Sequence, residues 1–206
     1  GLSSAARLRL MRDNQANILC CTPTYAMRLA EVAATERIEI AALRIKTIIV
    51  AGEPGGSIPA TRAKLESLWP GARIFDHHGM TEVGPVTHEC PVHPGVLHVI
   101  ESAYFAEVID PASGQPATSG ELILTTLTRT GSPLLRYRTG DLVKCEERGT
   151  RCACGRSTLR LGGGILGRVD DMVIVRGVNV YPSAVEEILR READLTEYQV
   201  HVTKQG

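Results

Sequence analysis

NILCCTPTYAMRLAEVA, residues 17–33, passes from a short apolar run straight into a helical pattern, and this transition decides how the first part of the chain reads. Thr22 offers an N-cap oxygen, and Pro23 suits the first helical position, where an N–H would lack a partner in any case. The same order then recurs. TIIVAG (47–52) predicts a second strand, residues 59–69 a second helix capped by Ser57, and RIFD (73–76) a third strand. Strands alternating with helices predict a parallel sheet, with both helices starting just beyond strand ends, where ligands of such sheets sit.

The texture changes at Val86. AEVID (106–110), GELILTTL (120–127), LLRYR (134–138) and DLVKC (141–145) predict short strands, with DPASG (110–114) as a turn. LGGGILG (161–167) reads as a flexible joint; beyond it DMVIVRG (171–177) predicts a strand, and residues 182–193 an amphipathic helix with Ala184, Val185, Ile188 and Leu189 on one face. The expected fold class is α/β in the mixed α+β sense. Residues 1–169 read as part of a large domain, α/β over 1–85 and β-rich over 86–169, and 170–206 as the opening of a small α+β domain. VHVTKQG (200–206) reads as a strand with nothing after it, so the chain is expected to be truncated there.

Composition narrows the function. At 206 residues and 43% hydrophobic content the chain can bury a core. Its 23 basic residues balance 23 acidic ones, and no basic cluster with interleaved aromatics occurs, which argues against a nucleic-acid partner. No apolar run approaches the roughly 20 residues of a membrane span, and the first residues lack a signal-peptide pattern, so no membrane partner and a cytoplasmic location are expected. Lys46, Lys64, Lys144 and Lys204 are the only lysines, leaving anion recognition mainly to arginine forks. The six cysteines are not spaced like a disulfide framework; Cys20 and Cys21 sit in an apolar run, whereas Cys152 and Cys154 form a CxC.

Four stretches carry the chemistry: AGEP (51–54), HHGMTE (77–82), YRTGD (137–141) and GRVDDMVIVRG (167–177). Each borders a predicted strand. Singly they are ordinary turn chemistry. Together, with LCCTPTYAMRLAEVA, GELILTTLTRTGSPLLRYRTGD and GRVDDMVIVRGVNVYPSAVEEIL, they make the chain resemble the adenylate-forming superfamily over nearly its whole length, most closely the phenylacetate-CoA ligases. The resemblance implies that a carboxylic acid, aryl or arylacetic in that branch, reacts with ATP to give an acyl-adenylate and pyrophosphate, and that the acyl group then passes to CoA.

The residue chemistry suits those roles. Gly52, Glu53 and Pro54 form a loop whose backbone can approach a purine closely. Thr81 can bond an α-phosphate oxygen, and Glu82 is a hard oxygen ligand for Mg²⁺. Asp141 can accept from both ribose hydroxyls, and Arg168, just before an expected hinge at Asp170, offers a donor fork to ribose or phosphate. Asp76, His77, His78 and Gly79 complete the AMP-binding set. His77 and His78 stand where the family commonly has Ile and Tyr; an imidazole at 78 can stack on adenine but is expected to titrate near neutrality, and His77 reads equally as a polar residue closing a strand. Arg176, Gly177 and Asn179 resemble the segment that faces the CoA half-reaction. Tyr25, Val83 and Gly84 are candidates for the acyl pocket.

The family's phosphate loop and its adenylation lysine are expected before Gly1 and after Gly206, Lys204 being in the wrong context, so these residues alone are expected to be inactive. Separately, Cys90, His98, Cys152 and Cys154 offer a tetrahedral Zn²⁺ set drawn from two loops, with His93 and Cys145 in reserve; the competing reading is three buried free thiols. Two other functions fit the pattern: an adenylyltransferase that conjugates AMP to a cofactor without CoA, and a non-catalytic zinc-stabilised binding module. Oligomeric state, a homodimer included, is left open.

Overall fold

The computed structural model describes residues 1–146, 149–171, 173–175, 178–180, 182–192, 198–201 and 203. A first helix, α1 (Ser4–Asp13), leads into β1 (Ile18–Cys21), α2 (Pro23–Thr35), β2 (Thr47–Val50), α3 (Pro59–Leu68) and β3 (Arg73–Asp76). The three strands form a parallel sheet in the order β1-β2-β3. Its register sets Cys21 beside Val50 and Val50 beside Asp76, so the loops that follow all leave from one edge. Thr22 caps α2 as expected, its side chain accepting from the Tyr25 amide at 3.2 Å. The inner face of α2 buries Ala26, Met27, Leu29, Ala30 and Ala33 against Ile48, Leu65 and Trp69 in one cluster.

Ser57 does not cap α3. The N-cap is Ile58 with no side-chain bond, because the Ser57 hydroxyl donates instead to the Asp76 carboxylate, a better acceptor than its own hydroxyl would be for a helix amide. The amide of Ala60 finds Glu187 at 3.2 Å.

The second half is antiparallel. Short strands β4 (Gly79–Met80) and β5 (Gly84–Pro85) pair, followed by β6 (Thr87–Glu89), β7 (Val96–Val99), β8 (Tyr104–Ile109), β9 (Ser119–Thr126), β10 (Tyr137–Lys144), β11 (Arg160–Gly162) and β12 (Gly167–Arg168). They assemble as β12-β10-β9-β8 and β11-β7-β6 around Leu97, Val99, Leu122, Leu124, Val143 and Leu161. Beyond them lie the hairpin β13 (Val173–Val175) with β14 (Val178–Val180), and α4 (Pro182–Leu189). The chain is therefore of mixed α/β class. No helix among the described residues is long and apolar enough to cross a membrane.

Four further local expectations are corrected. LLRYR and DLVKC are not two strands: β10 starts at Tyr137 near the end of the first motif and continues into the second, with a register shift between Arg138 and Leu142 where Gly140 takes φ +76°. A bulge with a left-handed glycine carries the same residues as a turn. LGGGILG is no free joint, since Gly163 bonds Gly95 at 2.9 Å, Leu166 bonds Leu142 at 2.9 Å, and β12 pairs with β10. The predicted apolar face of α4 leaves Ile188 66% exposed, while Glu186 and Glu187 reach α3. Of VHVTKQG, residues 200, 201 and 203 lie in no strand and the others are outside the described residues.

Trp69 is 1% exposed and donates from Nε1 to Ala26 O at 3.0 Å, joining α3 to α2. Trp69→Ala is expected to cost about 3–5 kcal/mol, read as a lower urea midpoint at unchanged slope. A loss below about 1 kcal/mol would remove Trp69 from the core, since full burial of an indole cannot be that cheap to undo.

Candidate functional site

A cleft of about 320 Å³ opens between the loops leaving the parallel sheet and the face formed by β10 and β12. Gly52, Glu53 and Pro54 line one side, Asp76, His77, His78, Gly79 and Glu82 another, and Tyr137, Thr139, Asp141, Gly167 and Arg168 the third. Gly52, Glu53, Pro54, Asp76, His77, His78, Gly79, Glu82, Asp141 and Arg168 thus meet from distant parts of the chain, because the parallel register and the β10–β12 pairing both end at this hollow.

Asp141 and Arg168 are partners across β10 and β12, with Arg168 Nη1 at 3.3 Å from Asp141 Oδ1 and Arg168 Nε at 3.0 Å from Asp170. The preceding bulge requires Gly140: besides its positive φ, a Cβ there would stand 2.9 Å from Arg168 Nη2. Thr139, which sequence reasoning did not single out within YRTGD, holds the turn by donating to Leu122 O at 2.8 Å and accepting from the Asp141 amide at 3.0 Å. Burial raises the Asp141 carboxyl to about 6, with Arg168 opposing that rise and Asp170 adding to it.

His78 Nε2 lies 3.3 Å from Asp141 Oδ2, within ion-pair distance, yet it is not aligned for a hydrogen bond and is buried without one. Burial, then the neighbouring His77, pushes the imidazole down to about 4. This corrects the expectation that His78 titrates near neutrality: it is neutral there, and Asp141 changes charge closer to pH 7 than His78 does. No charged His78–Asp141 pair forms, since Asp141 takes its proton before His78 does.

The other residues divide between lining and bracing. His77 Nδ1 lies 2.7 Å from Thr87 O and its amide continues the sheet to Val50 O at 3.0 Å, the geometry of a residue closing a strand. Asp76 accepts from Ser57 and from the His77 amide, and burial raises its carboxyl. Ser57 lines the cleft too, a role its reading as a cap obscured. Glu53 Oε2 accepts from Thr24 Oγ1 at 2.6 Å, so its carboxylate braces the start of α2 while the loop around it lines the cleft.

Glu82 lines the cleft, and its backbone carbonyl accepts from Arg129; its carboxylate has no partner among the described residues. Thr81 lies just outside, on an adjoining hollow that shares Gly52, His77, Gly79 and Met80 with the cleft. Gly84 lines this second hollow. Val83 does not line either one: it is 4% exposed and packs in the β-rich core. Tyr25 lines a different groove, with its hydroxyl 3.2 Å from Ser4 Oγ. Arg176 and Gly177 lie outside the described residues, as does the side chain of Asn179.

Away from the cleft, Cys90, His98, Cys152 and Cys154 bring their ligand atoms within 4.8 Å of one another. The two reserves are elsewhere. His93 is exposed on the loop before β7, and the Cys145 thiol faces Ala117 O at 3.9 Å.

No protein-family model matches the chain. It is 36% identical over 206 residues to the phenylacetate-coenzyme A ligase of Thermus thermophilus, covering 97% of this chain and 45% of that protein. The phenylacetate-coenzyme A ligase of Escherichia coli is 32% identical over 213 residues, covering 100% of this chain and 47% of its own. Among solved structures, 2-hydroxyisobutyryl-CoA ligase in the postadenylation state, in complex with R3-HIB-AMP, superposes with a TM-score of 0.86 at 31% identity, over 92% of this chain and 40% of that one. The fold is that of the adenylate-forming CoA ligases. Within that class, the chain is a homologue of the phenylacetate-CoA ligases and spans about half the length of the curated relatives it matches.

The raised Asp141 carboxyl has a measurable consequence. A folded-state value above the ordinary one means that ionised Asp141 costs stability; the cost is absent at low pH, grows between about 4 and 6, and is complete above that. Asp141→Asn is therefore expected to gain stability relative to the parent as pH rises through this window, by on the order of 2 kcal/mol. His78 contributes the opposite slope to both proteins, which largely cancels in the difference. Urea unfolding of both from pH 4 to pH 8 measures it, and a difference that shrinks with rising pH would contradict this electrostatic account.

Proposed function

We propose that this chain forms the nucleotide-binding part of an ATP-dependent acid–CoA ligase acting on an aryl or arylacetic acid. The observation that carries the proposal is the Asp141–Arg168 pair facing the Gly52-Glu53-Pro54 loop across one cleft, in a chain homologous to phenylacetate-CoA ligases. The acid's carboxylate oxygen attacks the α-phosphorus of ATP, the bond to the bridging oxygen breaks, and pyrophosphate leaves. The CoA sulfur then attacks the acyl carbon; the bond to AMP breaks, and the thiol proton is released as the thioester forms.

In this reading Asp141 accepts the ribose hydroxyls, which requires its ionised form. Arg168 is already oriented by Asp141 and Asp170, and directs a guanidinium N–H toward the ribose and α-phosphate. The Gly52–Pro54 backbone and the His77–Gly79 segment flank the base, with His78 neutral. Thr81 bonds the α-phosphate from the adjoining hollow. Glu82 fits a Mg²⁺ ligand, as its exposed carboxylate is a hard oxygen donor without a described partner. When bound there, Mg²⁺ would offset phosphate charge. The acid would enter from the side of Gly84, and Arg176, Gly177 and Asn179 would face CoA.

The test is a panel of carboxylic acids, phenylacetate included, given to the full-length protein with ATP and scored by AMP release with and without CoA. CoA-dependent AMP release supports the ligase; adenylate formation indifferent to CoA would assign adenylyl transfer instead, and AMP binding without turnover a non-catalytic module. Asp141→Asn is expected to raise the KM for ATP about 10-fold or more, and Glu82→Gln to lower kcat roughly 100-fold. Because ionised Asp141 is the acceptor, the KM for ATP is expected to rise as pH falls below about 6 in the parent protein and to lose that dependence in Asp141→Asn.

A further inference from the structure

The proposed reaction makes no use of the sulfur and imidazole cluster formed by Cys90 just after β6, His98 on β7 and the 152–156 loop. We propose that Cys90, His98, Cys152 and Cys154 bind one Zn²⁺ in a closed structural site that holds β6 and β7 against the strand carrying the cleft residues. The spacing fits. A tetrahedral ion with Zn–S of about 2.3 Å and Zn–N of about 2.0 Å sets ligand separations of about 3.5–3.8 Å. Here Cys90 Sγ lies 3.6 Å from Cys152 Sγ and Cys154 Sγ 3.4 Å from His98 Nε2, with all ligand atoms within 4.8 Å of one another.

Hydrogen-bond donors converge on two of the sulfurs. Cys90 Sγ is met by the amides of Val92 and His93, and Cys154 Sγ by the amide and side chain of Arg156. A tight turn, Gly155 N to Cys152 O at 2.8 Å, folds the CxC loop around one point. His98 is fully buried, and its other nitrogen, Nδ1, lies 3.0 Å from Thr158 Oγ1, the second contact that orients a metal-bound imidazole. Three sulfurs and one nitrogen select a soft or borderline ion over Mg²⁺ or Ca²⁺, and four protein ligands leave no position for substrate. The Arg156 guanidinium offsets the net negative charge of such a centre.

The site also has a mechanical reach. Cys90 directly follows Glu89, whose carboxylate accepts from the amides of Asp76 and Gly95 and pairs with Arg62. His98 pairs with His88 across β6 and β7, their rings stacked at 5.5 Å. Fixing Cys90 and His98 to the CxC loop therefore fixes the sheet that abuts Asp76, His77 and His78.

The test is elemental analysis of full-length protein purified without chelators, with thiol state checked by mass spectrometry. One zinc per chain is expected, lost in Cys90→Ser and Cys152→Ser and retained in His93→Ala and Cys145→Ala. Should the cysteine variants fail to fold, the parent protein, stripped of metal and titrated with Co²⁺, is expected to show the intense near-ultraviolet band of thiolate coordination. Removing the metal is expected to lower the melting temperature and to weaken ATP binding. Metal-free protein with no Co²⁺–thiolate band, a Cys90–Cys152 disulfide, or loss of zinc in His93→Ala would each overturn the assignment.

Discussion

The two cores of this chain are joined through one buried carboxylate. Glu89, its side chain 1% exposed, sits at the end of β6 and pairs with Arg62 of α3 while accepting from the amides of Asp76 and Gly95. Arg62 in turn donates to Ile74 O at 2.6 Å. An isolated carboxylate at this depth would be very costly, so its several donors are a condition of the fold as well as a product of it. Because one donor is the amide of the last residue in β3, the parallel sheet and the antiparallel sheet beside it are held in a single register. The cleft lies where they meet, and its geometry depends on that bolt.

Electrostatics in the cleft follow from burial more than from pairing. Asp141 and His78 lie 3.3 Å apart and could form an ion pair in water-exposed surroundings. Both are instead pushed toward neutrality, Asp141 to about 6 and His78 to about 4. Arg168 is 45% exposed on its side chain and only partly compensates Asp141. A carboxylate held at such cost, with acceptor capacity to spare, is the pattern of a site that trades stability for recognition. By contrast Asp76 spends its acceptors on Ser57 and the His77 amide, which makes it a brace that also lines the cleft.

Much of the architecture is legible in the sequence. The alternation of apolar runs with capped helices placed β1, α2, β2, α3 and β3, because Thr22 and Pro23 act within one turn and need no distant partner. Legibility failed wherever a residue's local preference met a stronger distant one. Ser57 has the chemistry of a cap yet serves Asp76. TGD has the composition of a turn yet forms a bulge inside β10. The glycines of 161–167 look like a joint, but carry the chain from one sheet to the next. At the site, the motifs mark Asp141 and Arg168, whereas the roles of Thr139, silent within its motif, and of Ser57, which reads locally as a helix cap, depend on what stands opposite.

By itself the sequence determined the alternation of elements, the mixed α/β class and the identity of the polar residues available for chemistry, since these rest on short-range periodicity, capping and side-chain type. Only the tertiary structure decided which of those residues share a cleft, that His78 is neutral beside Asp141, and that His98 rather than His93 stands among Cys90, Cys152 and Cys154. The reason is physical: proton affinity and ligand geometry are set by desolvation and by neighbours far away in the chain, and neither is encoded within a local window of residues.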